Sequence, residues 1–323
     1  MPKLLYLSAA DAERCGVPML DVIDLVQLAL FEHGLGRTEM PPKLGIHPQP
    51  GTLLHAMPAL VRAANAAGVK WVSAFPQNRE RGLPAVTGMI VLNDPETGLA
   101  QAIMDATWIT AVRTAASTAV ACRKLAPMDA ETLAIIGPGV LGRTNVTALR
   151  EVLPQLRRVR AYAPRRETVD RFVHDIQVQH GLEVKAVNSA EDAVHYAEVV
   201  VTAAPWPPVG SRPALGAEVM RDVPFCCALD LDSTVLGEAV AAADRCFADD
   251  VATFESIRQH SFFAGWPFPL ELSQVVAGKL PGRQTSDERV ICANLGLGIY
   301  DVVVARKVFE AALRQGIGIE LPQ

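Results

Sequence analysis

Two periodicities divide this chain. Over residues 16–34 the apolar positions Met19, Leu20, Ile23, Val26, Leu30 and Phe31 recur at helical spacing before Gly34, which predicts an amphipathic helix. From Met40 to Asp94 the pattern breaks into short apolar runs at 52–57, 68–75 and 86–92, punctuated by proline and glycine. These predict strands of an α+β region with long connections. Asn93-Asp-Pro-Glu-Thr-Gly98 carries the chemistry of a tight bend. An alanine-rich stretch at 105–125 then predicts a long helix that can pack closely on a neighbour. Beyond it, predicted strands at 132–136, 159–162, 182–187, 198–203, 225–231 and 245–248 alternate with helical stretches, the mark of a doubly wound sheet. After Glu288 a short apolar run leads to a last helix, from Leu297 to about Gln315. The expected fold class is α/β. A doubly wound region is expected over 116–299, and an α+β region over 1–115 with 300–323.

Composition narrows the function classes. The 323 residues are half hydrophobic and 20% charged, enough for two packed domains. A net charge of −5 gives no basic footprint for nucleic acid. No apolar run is long enough to span a membrane, and the first residues hold too short an apolar stretch for a signal peptide. The six cysteines have no C-x-x-C spacing. Buried free thiols in a reducing cytoplasm are expected, and no metal site is indicated.

The most specific local motif follows the run at 132–136. Leu133-Ala-Ile-Ile leads straight into Gly137-Pro138-Gly139-Val140-Leu141-Gly142, and a helix is predicted from Val140 to about Leu153. Strand, G-x-G-x-x-G and helix together place a pyrophosphate at the helix N-terminus. The next strand should end at the adenosine ribose, where NAD-binding folds usually carry an acid. Here the tip reads Ala163-Pro164-Arg165-Arg166. Two guanidiniums suit a phosphate and favour NADP over NAD, although Glu167 is also in reach of a ribose. Asp232 and the residues around Ala203 and Pro205 are expected at C-terminal strand ends, the edge where such sheets bind ligands.

Three further pieces carry candidate chemistry. Lys70 stands among apolar strand residues in Gly68-Val-Lys-Trp-Val-Ser-Ala-Phe75, and a lysine reaching water from an edge strand is the plain alternative. Arg113 lies amid small residues in Asp105-Ala-Thr-Trp-Ile-Thr-Ala-Val-Arg113-Thr114-Ala-Ala, where a carboxylate could dock on its fork. The alternative is an arginine on a helix surface. In Ala228-Leu-Asp230-Leu-Asp232 the two acids alternate with apolar residues, so both are expected on one strand face.

Taken together these pieces resemble the ornithine cyclodeaminase/μ-crystallin family over nearly the whole chain. The resemblance rests on Lys70 in its Gly-Val-Lys strand, Asn78, the stretch from Ile109 to Ala116 with Arg113 and Thr114, the glycine loop and Asp232. It extends to the tail of Val276-Ala-Gly-Lys279, Pro281-Gly-Arg283, Asp287-Glu288, Gly296 and Asp301. It implies a homodimer with a Rossmann NAD(P)-binding domain at 116–299 and an α+β substrate-binding and dimerisation domain at 1–115 with 300–323, with Arg113 and a basic residue near Lys43 on the substrate carboxylate. It also implies Lys70 beside the reacting amine or imine, Asp232 as acid/base partner, and Thr114 with the glycine loop on the cofactor. This sequence departs from the family in several places. Lys43 stands where cyclodeaminases carry Arg, and His55 where they carry a Glu that handles a distal amine. Leu141-Gly142 replaces a common glutamine-alanine, and Asp230 replaces a usual glycine.

Lys43, His47, His55, Lys70 and Arg113 would form a cationic pocket if they converge, and would then suit a substrate with a second acidic group. Ordinary loop and strand histidines are the alternative. The leading expectation is an NAD(P)H-dependent oxidoreductase acting on the C–N bond of an α-amino or α-imino acid. Cyclodeamination of a diamino acid such as ornithine and NADP-regulated small-ligand binding are the other two. The aromatic segment 261–269 is expected either to line a pocket or to cover a dimer contact.

Overall fold

The computed structural model describes residues 3–204 and 214–322. The chain divides into two compact units, Met1–Arg113 with Gly296–Gln323, and Thr114–Leu295.

In the first unit the strands Leu53–Val61, Ala66–Ala74, Val86–Asn93 and Ala100–Asp105 form an antiparallel meander. Asn65, in the left-handed region at φ 47°, turns the first hairpin. Asp94 closes the last one, its carboxylate accepting from the backbone N–H groups of Glu96 and Thr97 at 2.8 and 3.0 Å. Short strands complete the sheet: Thr38–Glu39 and Leu44–Ile46 on one side, Lys3–Leu7 and Ile319–Pro322 on the other. Directly opposed residues share a face. Met57, Lys70, Ile90 and Met104 therefore form one cross-strand row, and all four are buried. The neighbouring row of Leu44, Ala56, Trp71 and Met89 lies on the other face, with Leu44 and Trp71 exposed.

The helix Gly298–Gln315 packs on this sheet and on the helix Met19–Gly34. Its run of Ile299, Tyr300, Val302, Val303 and Val304 is fully buried. The close approach depends on Gly298. A Cβ there would lie 3.0 Å from the Met57 carbonyl oxygen and 3.3 Å from Ala59 Cβ.

The second unit carries an all-parallel sheet. Its strand order is Glu183–Ala186, Arg158–Tyr162, Thr132–Ile136, Val199–Thr202, Phe225–Ala228, Val290–Ala293, Arg245–Ala248 and Leu270–Glu271. The chain reverses its direction of travel across the sheet between Thr132–Ile136 and Val199–Thr202. This is the switch point at which a Rossmann fold binds its ligand. Strands covered on both faces read as continuous apolar runs, which is why Leu133-Ala-Ile-Ile and Val199-Val-Val are entirely buried.

Two expectations need correction. The strand predicted at 225–231 stops at Ala228, and Leu231 takes a left-handed φ of 57°. Asp230 and Asp232 therefore do not share a strand face. Asp230 is buried and accepts from Thr202 Oγ1, Thr234 Oγ1 and the Ala204 N–H at 2.6, 2.7 and 3.1 Å. Asp232 is half-buried and accepts from the Phe263 N–H at 2.7 Å. Segment 261–269 is also more than a lining. Phe263 stacks on Phe254 at 4.4 Å between ring centroids and meets Trp266 edge-on, and these three rings are core of the second unit. All six cysteines are buried and free, and burial pushes the Cys227 and Cys246 thiols up to about 12, which disfavours a nucleophilic role. Among the described residues no helix is long and apolar enough to cross a membrane.

Replacing Gly298 by Val should force the last helix away from the sheet and destabilise the protein by about 1–3 kcal/mol. Urea denaturation checks this, and an unchanged midpoint would contradict the close packing.

Candidate active site

Lys70 sits mid-strand, in the buried row just described. Arg113 projects from the helix Thr107–Leu125, and Asp301 from the first turn of the helix Gly298–Gln315. The three side chains converge inside the first unit. Lys70 Nζ lies 2.7 Å from both carboxylate oxygens of Asp301, and Arg113 Nε donates to Oδ1 at 3.0 Å. Their exposures are 1%, 7% and 0%. Neither an edge-strand lysine in water nor a surface arginine describes them. Gly296, at φ 75°, makes room for the fork, since a Cβ there would run into the Arg113 guanidinium.

The cluster holds two cationic side chains and one anion. Burial pushes the Lys70 ammonium down, and the Arg113 guanidinium adds to it. Asp301 pulls the other way, Lys43 pushes down further, and the result is about 7 instead of the ordinary 10.5. A lysine placed this way changes its charge near neutrality. Asp301 belongs to the motif set carried by the resemblance, but the sequence reading gave it no role. One signal was there: an acid in Gly298-Ile-Tyr-Asp-Val-Val-Val, a run otherwise apolar, must find a buried partner.

The other basic candidates lie on the same face of the same sheet. Leu44 pairs with Ala56, so the register carries Lys43 to the row of Met57 and Lys70. Lys43 is half-buried there. His55 is two residues from Met57 and therefore shares its face. It opposes Gly45 on one side and Val72 on the other. Its imidazole covers Gly45 so closely that a Cβ at 45 would fall on the ring. His47 meets His55 edge-on, with centroids 6.1 Å apart, and its Nδ1 faces the Thr52 carbonyl oxygen at 3.2 Å.

In the second unit the glycine loop has the shape its sequence foretells. Gly137, at φ 92°, lets the loop pass Ala203, whose carbonyl atoms would lie 2.5 Å from a Cβ. Gly139 faces open space at the start of the helix Val140–Arg150. Gly142 packs against the strand, where a Cβ would come within 2.8 Å of the Gly137 carbonyl oxygen and 2.9 Å of Ile135 Cγ2. The Pro138 carbonyl accepts from Arg143 Nη1 at 2.9 Å. Val140 is exposed and Leu141 half-buried. Arg165 stands just before the helix Arg166–His180 and is exposed, while Arg166 Nε donates to Asp170 within that helix at 2.8 Å. Thr114 is buried at the start of this unit. Pro205 lies outside the described residues.

Replacing Asp301 by Asn should destabilise the protein by about 3–5 kcal/mol, because two buried cations lose their counter-charge. Thermal or urea unfolding measures this. Lys70 adds a pH signature. Its folded value of about 7 lies below the unfolded 10.5, so its contribution is full above the unfolded value and is lost as pH falls through about 7. Wild-type stability relative to Lys70→Met should rise from pH 7 to pH 9. A constant difference would contradict the buried geometry.

Comparisons with known proteins bear on this arrangement. A nodulation efficiency protein, NfeD, of Rhizobium meliloti is 31% identical, with 97% of each chain covered. The Δ1-pyrroline-2-carboxylate reductase of Thermococcus litoralis, solved with NADH and L-proline, superposes with a TM-score of 0.88 at 28% identity, covering 98% of this chain and 100% of that one. An archaeal alanine dehydrogenase dimer with bound NAD gives 0.87 at 28% identity, covering 99% of both. The profile of the ornithine cyclodeaminase/mu-crystallin family matches residues 7–316. With its Rossmann unit, its glycine loop and its buried Lys70–Asp301–Arg113 cluster, this chain belongs to the ornithine cyclodeaminase/mu-crystallin family.

Proposed function

We propose that this protein is an NAD(P)H-dependent oxidoreductase acting on the C–N bond of a small α-amino or α-imino acid. The observation that carries the reading is the buried Lys70–Asp301–Arg113 cluster, in a chain whose other unit holds a nucleotide loop at a switch point. The relatives named above, an imine reductase and an amino-acid dehydrogenase, support it.

Gly137 to Gly142, Ala203, Thr114 and Arg165 would hold the dinucleotide. The loop fits that role: a Cβ at Gly137 or Gly142 would strike neighbouring atoms and displace it, and Gly139 leaves open space beside the helix start. When bound, the nicotinamide supplies or takes the hydride. Arg113 offers its planar fork to the substrate carboxylate and fixes the orientation of the reacting carbon. Lys70, poised near 7, gives a proton to the imine nitrogen in reduction and takes one from the amine in oxidation. Asp301 aims the Lys70 ammonium and balances its charge. Asp232 is the second acid/base group, its carboxylate steadied by the Phe263 N–H. His55, where cyclodeaminases carry Glu, disfavours closure of a diamino acid.

The cofactor is NADP in this reading, because Arg165 is exposed at the ribose end of Arg158–Tyr162 and no acid replaces it there. We read the chain as a cytoplasmic homodimer. The archaeal relative is a dimer, the first unit presents Leu44, Ile46 and Trp71 on one sheet face, and six buried thiols suit a reducing compartment.

NADPH consumption with 2-oxo acids plus ammonia or methylamine tests the activity. Lys70→Ala and Asp232→Ala should each lower kcat by about 100-fold or more, and full activity in both would refute the assigned roles. Reduction should slow, and oxidation quicken, as pH rises through about 7. Equal slopes in both directions would argue against Lys70 as the proton carrier. Arg165→Asp should shift the NADPH/NADH affinity ratio toward NADH by about tenfold, roughly 1.4 kcal/mol. An unchanged ratio removes Arg165 from the site.

A further inference from the structure

We propose that Arg143 is a positioning residue of the nucleotide site: it ties the glycine loop to the helix that begins beside Arg165, and so sets the spacing between the pyrophosphate and adenosine ends of the cofactor. The inference rests on the dinucleotide reading above and goes beyond it to a residue outside the glycine motif.

The bonds come first. Arg143 directly follows Gly142 and lies half-buried on the helix Val140–Arg150. Its Nη1 donates to the Pro138 carbonyl at 2.9 Å, and its Nε donates to Asp175 Oδ2 at 3.0 Å. Asp175 belongs to the helix Arg166–His180. The guanidinium carbon stands 5.7 Å from the centre of the Phe172 ring, a fully buried side chain of that same helix. One planar group thus spans the loop and the neighbouring helix, with its cation over an aromatic ring.

The bond to Pro138 orients a peptide. Proline already restricts φ at 138, while Gly139 faces open space and has no side chain to resist rotation. The Arg143 bond holds the carbonyl of the Pro138–Gly139 peptide toward the guanidinium. In a trans peptide the N–H then points the other way, and here it donates to the Gly137 carbonyl at 2.9 Å. Released, the peptide can turn a carbonyl oxygen to where the loop should present N–H groups to an anion.

The bond to Asp175 sets the spacing. The Gly137 N–H donates to the Tyr162 carbonyl at 3.0 Å, which fixes the start of the loop to the strand that leads to Arg165. Arg143 fixes the next part of the loop to the helix that follows Arg165. Asp175 also answers the Arg143 charge, so the guanidinium is committed to protein partners and acts through the loop.

Two further contacts join the same helices. Thr147 Oγ1 and His180 Nε2 are 3.1 Å apart, and Arg150 Nη1 donates to the His180 carbonyl at 2.7 Å. They hold the helices together when Arg143 is replaced, so the loop loosens while the unit stays folded.

The test measures dissociation constants of the full-length protein for NADPH and for adenosine 2′-monophosphate, a fragment that lacks the pyrophosphate. Arg143→Met should weaken NADPH by about tenfold and the fragment by less than about twofold. Asp175→Ala should weaken NADPH by about threefold, although it removes a negative charge. Thr147→Val, which breaks a contact between the helices away from the loop, should lower the thermal midpoint and leave both affinities within about twofold. An unchanged NADPH affinity in Arg143→Met would overturn the proposal. So would an equal loss of NADPH and fragment, the mark of general damage to the unit. Tighter NADPH binding in Asp175→Ala would also overturn it, because Arg143 would then act as a direct charge on the phosphates. A wild type that binds neither NADPH nor NADH would overturn the dinucleotide reading itself.

Discussion

A carboxylate buried between a lysine and an arginine organises the first unit. Asp301 has no exposure, and its partners come from a mid-sheet strand and a separate helix. Burying three ionisable groups is unfavourable unless each has a geometric answer. Here Asp301 answers both cations, and the last helix must seat on the sheet to deliver it. Gly298 permits that seating, and Gly296 leaves the arginine its place. The surrounding apolar row is therefore a mould for the cluster as much as a core. Burial, with the Arg113 charge beside it, is what brings its lysine down to about 7.

The second unit solves a different problem, two parallel strand ends brought close together at the switch point. The two strands on either side of the switch point end at Ile136 and Thr202, and each passes into a loop that must tolerate its neighbour. The Ala203 N–H donates to the Ile136 carbonyl at 2.7 Å, and Asp230 holds Thr202 and the Ala204 N–H from below. Asp230 stands where the family usually has glycine. Burial raises its carboxyl above the usual carboxylate range, against the pull of three donors. It braces the backbone where the strand Val199–Thr202 ends.

Much of this was legible in the residues, and the failures have physical causes. The strands at 132–136 and 245–248 were read to the residue because buried parallel strands are continuous apolar runs with clear ends. The helix at Gly298–Gln315 was placed within a residue for the same reason. The strand at 225–231 was read too long, since Asp-Leu-Asp mimics a period of two and nothing local reveals the left-handed Leu231. The strands Lys3–Leu7, Leu44–Ile46 and Ile319–Pro322 went unread. Strands this short are defined by their partners more than by their own residues. Lys70 and Arg113 were singled out as candidates, yet no local pattern told core from water. Their shared partner lies 231 and 188 residues further along the chain.

Gly45 and His55 illustrate how such a site restricts its own history. The imidazole occupies the space that any side chain at 45 would need, so the two positions are not independent. A lineage can exchange the histidine first and enlarge residue 45 afterwards. The reverse order makes the ring swing aside first. Descendants that altered this corner would carry the record of that sequence of events, and returning to the ancestral histidine would first require the glycine to be restored.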